Sequence, residues 1–186
     1  FEDGVLNVSV NCLDRQLASR GDKTALLFEP DSPDAPAQHV SYRQLHQKVC
    51  KLANALRALG VNKGDRVIIY LPMIVEAAAA MLACARIGAV HTVVFGGFAP
   101  NSIADRVGDS GARLIITADE GLRGGKKVPL KANVDAALKL PGTHSVETVL
   151  VVRHTGGAVA MQAPRDRWYH DVADSQPATC EPARMH

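Results

Sequence analysis

The run Arg123-Gly124-Gly125-Lys126-Lys127 sets three cations around two glycines, a combination that suits an anionic ligand. Arginine offers a planar fork of N–H donors that matches phosphate oxygens in pairs, and lysine adds a compact positive charge. The same five residues suit a solvated, flexible surface loop equally well, so spacing alone leaves the two readings level. Phe95-Gly96-Gly97-Phe98 is the second candidate, since only glycine lets a backbone come so close to a ligand. A plain Gly-Gly turn between a strand and a helix is the commoner source of that pattern. Neither stretch has the Gly-x-Gly-x-x-Gly spacing of dinucleotide sites or the Gly-Lys-Ser/Thr ending of a phosphate loop, so neither kind of site is supported.

Other reactive residue types form no constellation. Asp119 and Glu120 lie close to the basic run, yet no nucleophile or histidine completes an acid–base mechanism around them. Their expected role is to orient the loop. The seven histidines lack ligand spacing, and His91, in an apolar strand-like run, reads as a core histidine. Trp168, Tyr169, His170 and Asp171 form the one aromatic cluster and read as an anchor for a terminal helix. Cys12, Cys50, Cys84 and Cys180 are far apart with no Cys-x-x-Cys spacing, which favours reduced thiols in a cytoplasmic protein and gives no metal site. The balance of 21 Lys and Arg against 19 Asp and Glu argues against a general nucleic-acid surface. The Ala-rich run from Ala77 to Ala85 is too short to cross a membrane.

The elements that must position the two glycine-containing runs alternate in type. An amphipathic helix is expected over Asn7 to Ser19, capped by Asn7 or Ser9 and ended by Gly21. Thr24 to Phe28 and Gln38 to Ser41 read as a hairpin around the proline-rich segment from Pro30 to Pro36. Ser41 caps a second helix with Leu45, Val49, Leu52, Leu56 and Leu59 on one face and Gly60 at its stop. Apolar strands at Arg66 to Leu71, Ala89 to Val94, Arg113 to Thr117 and Thr148 to Val152 then alternate with helices at Ile74 to Ile87, from Pro100 to about Val107 and at Leu130 to Leu138. This order predicts successive βαβ units: an α/β fold, its mostly parallel sheet flanked by helices, with a short N-terminal β-hairpin. A short helix is expected within Arg165 to Ala173, and Ser175 to His186 reads as a loose tail. Parallel sheets bind ligands beyond their strand ends, where both glycine-containing runs fall.

Three stretches, LNVSVNCLDR, YLPMIVEAAAAMLACARIGAVHTVVFGGFAP and ITADEGLRGGKKVPLKANVDAAL, resemble the AMP-forming acetyl-CoA synthetases of the acyl-adenylate-forming superfamily. The similarity runs through nearly the whole chain in one register. It implies an enzyme that joins acetate to ATP as acetyl-AMP and passes the acetyl group to CoA, with Mg2+ assisting the first step. It also implies that an Arg-x-Gly-Arg turn and the second glycine of the FGGF turn hold the nucleotide end of CoA. Those positions are Arg123, Gly124, Gly125, Lys126 and Gly97, with Lys126 replacing the second arginine and Lys127 available to share its role. The family's ATP phosphate loop, acyl-pocket tryptophan and late catalytic lysine have no counterpart within residues 1–186. The chain, which starts without Met, is therefore expected to be a fragment of the large N-terminal domain, without catalytic residues or a metal site and inactive alone. Uncovered sheet edges should make it self-associate. A propionyl-CoA synthetase fragment and a non-catalytic CoA-binding or interaction module are the alternatives.

Overall fold

Polar turns and apolar runs alternate along the chain and the elements follow them; the computed structural model describes residues 3–185. Asn7 Oδ1 accepts the Ser9 N–H at 2.9 Å and opens the first helical segment. There a π-helical turn, Val10–Asp14, leads into α1, Arg15–Arg20. Strands β1, Thr24–Phe28, and β2, Gln38–Ser41, pair antiparallel as the expected hairpin. Helix α2, Tyr42–Ala58, starts with a reciprocal cap: Ser41 Oγ accepts the Gln44 N–H and Gln44 Oε1 accepts the Ser41 N–H.

The βαβ region follows with β3, Arg66–Tyr70, α3, Val75–Ile87, and β4, Val90–Val93. Then come α4, Pro100–Ser110, and β5, Leu114–Ala118. A small hairpin, β6, Gly121–Arg123, and β7, Lys126–Val128, precedes α5, Leu130–Ala137, and β8, Thr148–Val152. The last elements are β9, Asp166–Trp168, and α6, Tyr169–Ala173. The main sheet has the order β4-β3-β5-β8-β9, with every neighbouring pair parallel. Its central strands β3, β5 and β8 are nearly all apolar and buried because helices cover both faces. Helices α2, α3 and α6 pack together as one layer, and α4 packs on α5 in the other. The small residues Ala79, Ala80 and Ala83 let α3 lie close to its neighbours.

This order reverses direction at β3. From it the chain moves outward to β4, then returns past β3 to β5 and continues to β8. The loops leaving β3 and β5 therefore diverge, which opens a crevice above the carboxyl ends of these two adjacent strands. Such a switch point is where parallel sheets bind ligands.

Several local expectations need correction. The basic run is no flexible loop but the turn of the β6–β7 hairpin, with Gly124 and Gly125 at φ +56° and +72°. Two consecutive positive φ values match the twist of tight hairpins, and glycine adopts them without a Cβ penalty. The stretch expected to be one short helix begins with β9, whose pairing with β8 supplies the sheet's last edge. His91 is half-buried on edge strand β4, outside the core. Beyond the hairpin, Lys131 of α5 is fully buried and bound to Asp135 and Asp166.

The segment after α6, read as a loose tail, is held along α2 and α3. Lys51 Nζ donates to Asp174 O, Asn54 Nδ2 to Pro177 O and Thr179 O, and Arg57 Nη2 to Glu181 O. These three side chains recur every three residues along one face of α2 and act as rungs for an extended backbone. Arg86, only 3% exposed, donates through Nε to Cys180 O and makes a two-point ion pair with Asp14. His186 lies outside the described residues.

Candidate functional site

A cleft of about 420 Å3 occupies the switch point. Leu71 and Pro72 after β3 form its floor, Phe95 and Gly97 after β4 one wall, and Leu122 and Arg123 of the hairpin after β5 the other. Its lining is mainly apolar, with Arg123 the one charged residue. That composition suits a flat, partly apolar ligand carrying a negative group at the cleft mouth.

The FGGF turn is fixed from below. Tyr70, at the end of β3, donates its hydroxyl to Phe98 O at 2.8 Å, and Asn133 of α5 donates to that hydroxyl at 3.1 Å. Burial pushes the Tyr70 phenol above its usual pKa, although the Asn133 bond works the other way, and keeps it a neutral donor. A Cβ at Gly96 would sit 3.3 Å from Leu71 O, a tight contact that favours glycine there for backbone packing alone. At Gly97 the added atom would come within 2.9 Å of the Phe95 ring and 3.5 Å of Arg123 Nη1. Gly97 therefore leaves open the space between the two side chains that frame the cleft. The Phe95 and Phe98 rings meet edge to face at 5.9 Å, and the Arg123 guanidinium lies 5.3 Å above the Phe95 ring.

Arg123 and Lys126 are directly paired across the β6–β7 hairpin. Like charges at such a position repel unless an anion lies between them. Lys127 points elsewhere, to Glu120 at 2.8 Å, so it does not reinforce Lys126. Gly124 and Gly125 already have a partner: their N–H groups donate to Asp31 Oδ1 and Oδ2 at 2.8 and 2.7 Å. The structure thus brings Gly97 and Arg123 together, sets Lys126 beside Arg123, and gives the two turn amides to a carboxylate of this chain. No sequence signal marked Asp31 or Tyr70, whose partners are 93 and 28 residues away.

Asp119 and Glu120 organise the neighbouring loop. Asp119 accepts the N–H groups of Glu120, His154, Thr155 and Gly156. Burial alone would raise its pKa, but these four donors outweigh it and hold the carboxyl below its ordinary value. Glu120 takes bonds from Lys127 and the Thr155 hydroxyl, which lower its pKa as well. Both carboxylates are structural acceptors, in keeping with the loop-orienting role expected of them.

A reversal-point cleft framed by an aromatic glycine turn and a basic hairpin places the chain in a ligand-binding α/β class. The chain belongs to the AMP-binding enzyme family, whose profile matches residues 13–184. It is 80% identical over all 186 residues to acetyl-coenzyme A synthetase of Xanthomonas campestris pv. campestris (strain 8004), and 71% identical over the same length to that of Xylella fastidiosa (strain 9a5c). The chain spans 29% of the length of each. Acetoacetyl-CoA synthetase from Streptomyces lividans superposes with a TM-score of 0.85 at 27% identity, over 97% of this chain and 27% of that one. The resemblance read from the sequence motifs is borne out, and so is the parallel α/β fold.

Proposed function

We propose that this chain forms the coenzyme A side of an AMP-forming acetate–CoA ligase. In that reaction an acetate oxygen attacks the α-phosphorus of ATP and pyrophosphate leaves. The CoA thiolate then attacks the acetyl carbon, the C–S bond forms, and AMP departs with the electrons of the C–O bond. The observation that carries the reading is Arg123, held over Phe95 at the cleft mouth and facing open Gly97. The adenine of CoA fits the apolar cleft, and its 3′-phosphate meets Arg123 and Lys126.

The residues of this chain bind and orient. None described here is placed to transfer a proton or attack a substrate, so the adenylation chemistry is assigned to residues outside this stretch. Mg2+ belongs to the bound ATP. Among the described residues no group of three or more His, Cys, Asp or Glu side chains is placed to hold a metal ion. The names of the relatives favour acetate over propionate and an enzyme over a non-catalytic module. No described helix is long and apolar enough to cross a membrane. The cytoplasmic location belongs to the proposal and rests on the four unpaired cysteines, which stay reduced in that compartment.

Calorimetric titration of CoA into the chain and its Arg123→Ala variant tests the reading. Loss of a charge-assisted contact should weaken binding about tenfold, ~1.4 kcal/mol. Unchanged affinity removes Arg123 from the site.

A further inference from the structure

Asp31 lies in the proline-rich loop between β1 and β2, yet its carboxylate reaches the hairpin turn and takes both glycine N–H groups. From this contact we infer that Asp31 is a positioning residue of the anion site: it locks the Gly124-Gly125 turn so that Arg123 and Lys126 present their charges together. The inference rests on the CoA reading above and assigns recognition of the 3′-phosphate to side chains instead of turn amides.

Two glycines in succession form the least constrained backbone a chain can have. Left alone, this exposed turn would sample many conformations, and the separation of the two cations at its ends would vary with it. A bidentate carboxylate selects the one conformation in which both N–H groups point the same way. A ligand phosphate seeking those amides must displace two short charge-assisted bonds made within the chain, and so gains little from the exchange. Arg123 and Lys126, in contrast, have no carboxylate partner among the described residues. With Asp31 included and Lys127 paired to Glu120, Arg123 and Lys126 still leave the turn with a net positive charge, so it remains attractive to phosphate.

The test compares CoA with dephospho-CoA, which differ only in the 3′-phosphate, on the 186-residue chain and its Asp31→Ala and Asp31→Asn variants. Backbone amide shifts in NMR report both affinity and turn order. The native chain should prefer CoA. Asp31→Ala should lose CoA affinity about tenfold with dephospho-CoA affinity unchanged, and amide exchange at Gly124 and Gly125 should quicken. Asp31→Asn, whose side-chain oxygen accepts from one amide only, should fall between. Equal or tighter CoA binding by Asp31→Ala overturns the inference and makes Asp31 a bystander or a competitor. An equal loss for both ligands overturns it too, since positioning acts on the 3′-phosphate alone. A native chain that does not discriminate between the ligands overturns both this inference and the CoA reading.

Discussion

The Arg123 guanidinium lies 5.3 Å above the ring of Phe95, tying the hairpin after β5 to the turn after β4 across the mouth of the cleft. Neither residue is held by its own element alone. Replacing Phe95 by Leu keeps an apolar wall but removes the π face. CoA affinity should then fall by roughly 0.5–1 kcal/mol, the value of an exposed cation–π contact. Calorimetry on Phe95→Leu checks this, and an unchanged constant shows that the stacking does not orient the arginine.

Lys131 should be among the residues least tolerant of change. Its Nζ lies 2.7 Å from Asp135, 2.8 Å from Asp166 and 2.9 Å from Ala160 O, with the lysine wholly buried. Lys131→Met leaves Asp166 buried with one cation fewer, although Arg165 still contacts it at 2.6 Å. The expected loss is about 3 kcal/mol, at the lower end for breaking a buried pair. Urea unfolding followed by circular dichroism measures it, and a loss under 1 kcal/mol contradicts the assignment.

Acid should weaken the fold in two stages. Burial holds the His46 and His91 pKa values below their usual 6.5; at His46 it prevails over the opposing pull of Asp14, with a smaller contribution from Arg86 in the same direction. A histidine whose folded pKa is depressed stabilises the fold while neutral, so this contribution declines as pH falls below 6.5. Burial pushes Asp14, Asp119 and Asp166 upward, but their hydrogen bonds and ion pairs prevail and hold them below 3.8. Stability from these carboxylates is present above 3.8 and lost as pH falls through their lower folded values. Chemical denaturation from pH 7 to 3 should show a shallow decline and then a steep one. In Asp119→Asn the steep limb should flatten.

Asn54 holds the segment after α6 with two hydrogen bonds, to Pro177 O and Thr179 O. Asn54→Ala should therefore speed proteolysis after residue 174 while the sheet stays intact. At about 0.5–1.5 kcal/mol for each bond, local opening becomes several-fold to a hundred-fold more frequent. Hydrogen exchange followed by mass spectrometry separates this from global unfolding.

Val90 and Val93 on edge strand β4 are 53% and 52% exposed, and Leu27 and Met73 add exposed apolar surface to the structure. Bare edges and apolar side chains favour pairing between copies, so the isolated chain should self-associate. Light scattering at rising concentration checks this, with Val93→Lys expected to shift it toward monomer. A native chain that stays monomeric throughout refutes the expectation.

The central strands were legible because burial on both faces makes Val67 to Tyr70 and Leu114 to Ala118 nearly continuous apolar runs, broken only by Thr117. The helices were legible through period and stops, as with Ser41 before α2 and Gly88 after α3. Short elements were not. Asp166 to Trp168 has too few residues to alternate, and its strand exists only because β8 lies beside it. The Gly124-Gly125 pair carried a tight-turn signal, but the charged residues around it gave no apolar pattern from which to read strands. In the site, Arg123 and Gly97 could be found from motif, whereas Asp31 could not, because its contact depends on two loops meeting in the finished fold.

The strap along α2 and α3 also brings the far end of the described chain back to its start. Leu6 donates its N–H to Met185 O at 2.9 Å, and Asn7 reaches Ala183 O. Whatever precedes or follows, polypeptide enters and leaves this unit through neighbouring points. Loosening either stretch therefore frees the other, and the two should open together as one cooperative edge while the sheet stays closed.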